Sequence, residues 1–341
     1  MKKYCISIIL SLFVATHYSA QTDSLADTKY CTPRIIGLSP TKLVSMSYEY
    51  ASSSVLKLDT LDSYFPSTQT IKYNTGFRFN ASLPLIVKPS IIFSLGLAYH
   101  DYKYQLADPQ NTVNPFNNTL ATNGLRSYGI NATVFKPINK KLFVIALASF
   151  DYCGDYALTE APNLNQLKTS AAFIVGVKKH ERLQYGVGFS QAYKGGTLNY
   201  VALGMLNYTF KNTKWGVEML LPTRANLRFA PNPKNLIYAG FELDGASYRL
   251  NNMMANSNLP YKDLELKRSE IKFRLKYDFA IYKLVWLSLQ AGYRFNNNFK
   301  VDDGDHFRGY INKTPILMQN KLSSPLYFNI GLQLVAPDKK K

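Results

Sequence analysis

The chain has 341 residues, 46% of them hydrophobic and 14% aromatic, and carries a formal charge of +18. Its three cysteines exclude a disulfide-dense scaffold, and no segment supplies the run of roughly 20 apolar residues that a helical membrane span needs. The basic excess invites a nucleic-acid partner, a reading that the placement of the charges removes.

Residues Met1 to Ala20 open with Lys2 and Lys3, continue through the apolar stretch Tyr4 to Val14 and end in Ser19 and Ala20 before Gln21. That is the layout of a secretory signal peptide, residues 1–20. Residues 21–41 are then expected as a periplasmic N-terminal segment. Cys31 and Cys153 remain after cleavage. The strand order puts them at opposite ends of the strands, which predicts two free thiols. Neither follows the Leu-x-Gly/Ala-Cys sequence of a lipoprotein signal.

From Lys42 onward apolar side chains recur with a period of two. Between Thr70 and Ser82, Ile71, Tyr73, Phe77, Phe79 and Ala81 share one face, and Lys72, Asn74, Gly76, Arg78, Asn80 and Ser82 the other. Between Ser269 and Phe279, Ile271, Phe273, Leu275, Tyr277 and Phe279 alternate with Glu270, Lys272, Arg274, Lys276 and Asp278. Such patterns predict strands at Lys42 to Ala51, Thr70 to Leu83, Ser90 to Tyr104, Gly124 to Lys136, Lys141 to Tyr152, Lys168 to Lys178 and Leu183 to Tyr193. They continue at Thr197 to Phe210, Lys214 to Leu221, Ala225 to Ala230, Leu236 to Arg249, Lys267 to Phe279, Leu284 to Phe299 and Pro325 to Ala336. Connections alternate between short ones, at 84–89, 137–140, 179–182, 211–213, 231–235 and 280–283, and mostly long polar ones, at 52–69, 105–123, 154–167, 250–266 and 300–324.

Short turns on one rim and long loops on the other predict an all-β fold, a transmembrane antiparallel up-and-down β-barrel of about 14 strands. It would span residues 42–336, with a basic tail at 337–341. The short hairpin Lys214 to Ala230, which contains Pro222, leaves about 12 strands as the alternative. Closure is required because unpaired backbone groups in hydrocarbon cost several kcal/mol each. Aromatic belts are expected at both interfaces. Tyr48, Tyr50, Tyr99, Tyr102, Tyr152, Tyr193 and Tyr293 fall near the long loops, and Phe135, Phe143, Tyr208, Phe210, Trp215, Phe279 and Trp286 near the short turns.

The short turns and their flanks hold Lys88, Lys136, Lys140, Lys141, Lys178, Lys179, Arg182, Lys211, Lys214, Lys234 and Lys283 against Glu181 alone. This places a basic ring on the periplasmic rim, where anionic headgroups or an acidic periplasmic partner would meet it. A groove for single-stranded nucleic acid needs bases and aromatics together. Here they fall on opposite strand faces, so no nucleic acid is expected.

With apolar positions facing lipid, the opposite positions line the lumen: Glu49, Lys72, Arg78, Glu218, Arg228, Glu242, Asp244, Glu270, Lys272, Arg274, Lys276 and Arg294. Opposite signs on neighbouring strands predict ladders of Arg228 with Glu242, and of Glu242 or Asp244 with Lys272 or Arg274. The set either neutralises itself and fills the barrel or forms a charged constriction that selects solutes. Strand number leaves both open, because about 14 lies between filled eight-strand barrels and aqueous channels of 16–18.

His100, His180 and His306 are the histidines of the mature chain. His100 adjoins Asp101, but Ser94 on its face is about six residues, or about 20 Å, away at strand rise. No His-x-Ser dyad, Gly-rich phosphate loop or zinc spacing occurs. Asp302, Asp303 and Asp305 lack the calcium-loop pattern with a distal glutamate. No catalytic residue, cofactor or metal is therefore expected.

The Tyr18 to Gln21 junction, Gly-plus-aromatic strands such as Leu95-Gly96-Leu97-Ala98-Tyr99, and Leu221-Pro222-Thr223 leading into Leu227-Arg228-Phe229 carry a resemblance. The chain resembles the outer-membrane β-barrel proteins of unknown function common in Bacteroidota. Its last strand, Asn329 to Ala336, is similar to the signal through which assembly machinery recognises barrels, but it ends in Ala336-Pro337 and a lysine tail. Asp23-Ser24-Leu25 and Asp59-Thr60-Leu61 resemble the O-glycosylation sequence of that group. The resemblance implies a bacterial outer-membrane location, with membrane lipids and the assembly machinery as partners. The expected function is a monomeric, non-enzymatic, porin-like pathway for small solutes, or a structural barrel. The alternatives are a barrel hydrolase acting on lipid or peptide and a surface adhesin working through the long loops.

Overall fold

The computed structural model describes residues 29–336 apart from 63, 109–113, 158, 161–162, 194–195, 256–258, 262 and 305–314. The expected signal peptide 1–20, residues 21–28, Asp305, His306 and the tail 337–341 lie outside the described residues.

Strands are β1 (Lys42–Ala51), β2 (Ser54–Leu58), β3 (Ser67–Lys88), β4 (Ile91–Leu106), β5 (Leu125–Pro137), β6 (Leu142–Gly154), β7 (Leu167–His180), β8 (Leu183–Ala192) and β9 (Asn199–Thr209). They continue as β10 (Trp215–Leu221), β11 (Arg224–Asn232), β12 (Asn235–Arg249), β13 (Leu264–Ala280), β14 (Val285–Asp303), β15 (Ile316–Met318), β16 (Lys321–Leu322) and β17 (Leu326–Val335). Two short helices, α1 (Pro115–Thr122) and α2 (Asn251–Ala255), lie in the long loops. Strand β1 pairs with both β3 and β17, and β17 pairs with β14, so fourteen antiparallel strands close on themselves. The pieces β2, β15 and β16 belong to the loops. The doubtful hairpin is two wall strands, since β10 pairs with β9 and β11 with β12.

Alternation turns large apolar side chains outward all round this wall. Val187 is 73% and Leu275 64% exposed, and Phe77, Phe173, Phe189, Phe273 and Phe328 are exposed with them. Stripped of lipid, such a surface would be an aggregation hazard for a soluble protein.

The wall is uneven in height. Strands β10 and β11 have 7 and 9 residues, whereas β12 and β13 have 15 and 17. The far end of β12 leans across to β6, where Arg249 pairs in parallel with Gly154. Strands β7 to β11 therefore stop below a narrower upper cylinder. That cylinder is filled by an apolar core in which Leu56, Leu58 and Leu61 meet Phe116 and Leu120 of α1, Met253 of α2, and Met318.

At the short-turn end the segment before β1 lies across the mouth. The amide of Cys31 donates to the Asn139 carbonyl (2.9 Å), and that of Ile36 to Glu181 (2.8 Å). The Lys178 ammonium donates to Thr32 and to the Arg34 carbonyl, and Thr209 Oγ1 to the Ile36 carbonyl. Cys31 joins a core with Phe135, Phe143, Ile174, Leu203 and Met205. Cys31 and Cys153 are both free and buried, one at each end.

Asp155, wholly buried just beyond β6, accepts from the Asn252 and Met253 amides at 3.1 and 2.9 Å and fastens α2 there. Burial pushes its carboxyl up to about 6, so the folded loop favours the neutral form. The stability it contributes is full below the ordinary aspartate value of 3.8 and is lost as pH rises through about 6. Corrected for intrinsic rates, the Met253 amide is expected to exchange more slowly at about pH 5 than at about pH 8, and Asp155→Asn to remove the difference. Protection independent of pH in the native chain contradicts this.

Candidate functional site: the barrel lumen

The strand register fixes which inward residues stand side by side. Across β11, β12, β13 and β14 one row is Arg224, Glu242, Lys272 and Arg294. The next row toward the short turns is Asn226, Gly240, Arg274 and Gly292, and below it come Arg228, Tyr238, Lys276 and Gln290.

These charges form two groups of different character. The upper one is a layer sealed at its centre, with Arg78 and Asp244 partly exposed at its edge. Lys272 Nζ lies 2.9 Å from Glu49, 3.1 Å from Asp244 and 3.2 Å from Glu270. Arg294 pairs with Glu49 and stands 3.4 Å from Glu270, while it donates to Asn74 (2.8 Å). Arg268 holds Glu270 at 2.8 Å and stacks its guanidinium 4.1 Å from the centre of the Tyr102 ring. Arg78 pairs with Asp244 and donates to the Tyr102 hydroxyl. Strands β3 and β12 are separated by β1, β17, β14 and β13, so the Arg78 to Asp244 bond crosses the lumen. The side chains of Glu49, Arg268, Glu270, Lys272 and Arg294 are no more than 3% exposed. With water excluded, each charge needs its partners, because an unpaired buried ion costs several kcal/mol.

The lower group is hydrated in part, with Arg228 and Asp278 buried within it. Side-chain exposure is 11% for Arg274, 15% for Lys276, 20% for Glu218 and 30% for Glu242. Arg274 pairs with Glu242; Lys276 sits 2.7 Å and Lys42 3.7 Å from the single carboxylate of Asp278. Arg228 stands 3.5 Å from Glu218 and donates to Thr209, with Gly37 of the N-terminal segment laid over it. Arg224 opens β11 just past the low turn and is exposed. Opposite this wall, inward positions are small or neutral: Ala98, Asn131, Ser149, Ser170 and Ser190. Inward Leu147 is 38% exposed and inward Asn80 is exposed, so solvent occupies this half of the lumen.

Several expectations need correction. Lys72 is exposed and belongs to neither group: a register shift between Ile71 and Tyr73 inserts a bulge that carries Ile71 into the upper core. Arg228 does not pair with Glu242, because Arg224 occupies the register position opposite it. Tyr102, Phe135, Phe143 and Trp286 are buried inside and form no interfacial belt, while Lys178 leaves the basic ring to hold the N-terminal segment. Arg268, Arg224 and Lys42 were not singled out by sequence, although a period of two from Glu270 reaches Arg268 directly.

A closed barrel with an apolar exterior and a charged interior has the form in which strands cross a bilayer, because every strand of the wall is paired on both sides. This is an integral β-barrel of the bacterial outer membrane. The chain belongs to the DUF6268 family, a domain of unknown function, which it matches over residues 44–335. No curated protein matches it. Among solved structures it is similar to the NanC porin, at 6% identity over 85% of this chain and 100% of that one, with a TM-score of 0.36. It is also similar to an outer membrane channel from Pseudomonas putida F1 (9%, 91% and 98%, 0.39) and to the P. putida toluene transporter TodX (8%, 87% and 90%, 0.37).

Proposed function

We propose that the barrel is a non-enzymatic pathway for small solutes, entered over the low β10–β11 rim and closed toward the periplasm by residues 29–41. The hydrated lower lumen carries this reading, because a purely structural barrel has no use for solvent beside Arg224, Arg274 and Leu147. In this reading the protein works as a monomer, binds no nucleic acid or cofactor, and meets anionic headgroups through Lys136, Lys140, Lys179, Lys211 and Lys234. Insertion would rely on the assembly machinery through β17, and the Tyr18 to Gln21 junction supports an origin in the Bacteroidota.

Single-channel recording in planar bilayers tests the pathway. The full chain is expected to give brief, infrequent current steps. A barrel that stays silent even when the N-terminal segment has been cut away contradicts the proposal.

A further inference from the structure

We propose that the bay around Arg274 is an anion subsite that takes the carboxylate or phosphate group of a solute; this rests on the pathway reading and deepens it. Three features of the lower lumen converge there. The first is room. Arg274 is flanked in its row by Gly240 and Gly292, so no side chain stands directly beside it, and its guanidinium meets only Glu242 and Gln290 of the adjoining rows among the described residues of β12 and β14. Both glycines are required by the wall itself, since a Cβ on either would lie 2.0 Å from a carbonyl oxygen of the adjoining strand.

The second feature is charge. Arg224, Arg228, Arg274, Lys276 and Lys42 face Glu218, Glu242 and Asp278. Pairing Arg228 with Glu218, Arg274 with Glu242 and Lys276 with Asp278 uses every acid. Lys42 is then left to share Asp278, and Arg224 has no ion pair among the described residues. In a confined lumen with low-dielectric walls a surplus of this sign concentrates anions.

The third is donor capacity. Among the described residues the Arg274 Nε, buried in the wall, has no hydrogen-bond partner, and the Arg228 Nε has none either. Guanidinium forks match the paired oxygens of carboxylates and phosphates. The upper layer also holds unpartnered donors, on Arg78, Arg268 and Arg294, but Arg268 and Arg294 are shut away from solvent. Arg224 stands at the rim and Arg274 one row deeper, so an anion that crosses the low wall meets them in that order.

Equilibrium binding to the detergent-solubilised full chain tests the subsite, with inorganic phosphate and gluconate as separate probes followed by calorimetry. Binding of either probe that weakens about 10-fold or more in both Arg274→Gln and Arg224→Gln supports it, and the probe that binds identifies the group. Arg224→Gln breaks no internal ion pair, so it stays informative if Arg274→Gln misfolds. No binding by either probe, or equal affinity in the native chain and Arg224→Gln, overturns the subsite. A barrel that binds phosphate through Arg224 yet never conducts keeps the subsite and removes the pathway. A conducting barrel whose affinity ignores both variants does the reverse.

Discussion

Glu270→Gln is expected to destabilise the barrel by about 3–5 kcal/mol, the range for stranding a buried charge. The sealed layer holds four cations, Arg78, Arg268, Lys272 and Arg294, against three carboxylates, Glu49, Asp244 and Glu270. Neutralising Glu270 leaves four against two. Arg268 then loses the one carboxylate it is paired with, and Lys272 and Arg294 each lose a partner. Tyr102 cannot replace it, since a cation over a ring contributes about 0.5–2 kcal/mol. Removing the hub cation has a different consequence, because Lys272→Met brings the layer to three against three and leaves every acid an arginine. Its cost is expected to be less than half as large. The temperature at which the solubilised barrel loses its compact gel mobility reads both variants. Equal losses, or a harmless Glu270→Gln, contradict the claim that charge balance holds this layer.

Removing residues 29–40 is expected to raise the open probability of the barrel by about 50-fold or more. Six hydrogen bonds among the described residues seat the segment, twice from Cys31, once each from Ile36 and Thr209, and twice from Lys178. At about 1 kcal/mol each they keep the unseated state on the order of 1% or less. A milder variant acts at Gly37. Its φ of +83° is a conformation that glycine adopts freely, and a Cβ there would lie 3.2 Å from an Arg228 guanidinium nitrogen. Gly37→Val is therefore expected to lift the segment without shortening the chain and to give intermediate opening. Recordings indistinguishable from the native chain for both variants would locate the closure elsewhere.

The wall was legible in the sequence almost completely, because period-two alternation and alternating connection lengths both follow from the requirement that every strand pair on two sides. Even the short Lys214 to Ala230 hairpin counts, since its half-height arms still complete the ring. The contents of the barrel were less legible. Leu56, Leu58, Phe116, Met253 and Met318 sit in loops as fragments of three to eight residues, too short to show a period, and they become a core only when distant loops fold inward together. Lys72 defeated the alternation because a bulge adds a residue without changing composition. Phe143 and Trp286 carried a usable signal: they fall between the outward neighbours Leu142 and Val144, and Val285 and Leu287. Nothing in the strands themselves revealed that the segment around Cys31 fills the mouth beside Phe143. The division of the charged residues was also hidden, as it depends on Arg78 reaching Asp244 across the barrel.

A sealed cylinder with lipid outside and solvent in its lower half can be read from spin labels placed singly on the protein in bilayers. Labels at Val187, Leu275 and Phe328 are expected to relax with oxygen dissolved in the lipid, and labels at Asn80, Leu147 and Arg224 with a water-soluble nickel chelate. Equal access of the chelate to both sets, or oxygen-dominated relaxation at Asn80 and Leu147, would exclude such a cylinder.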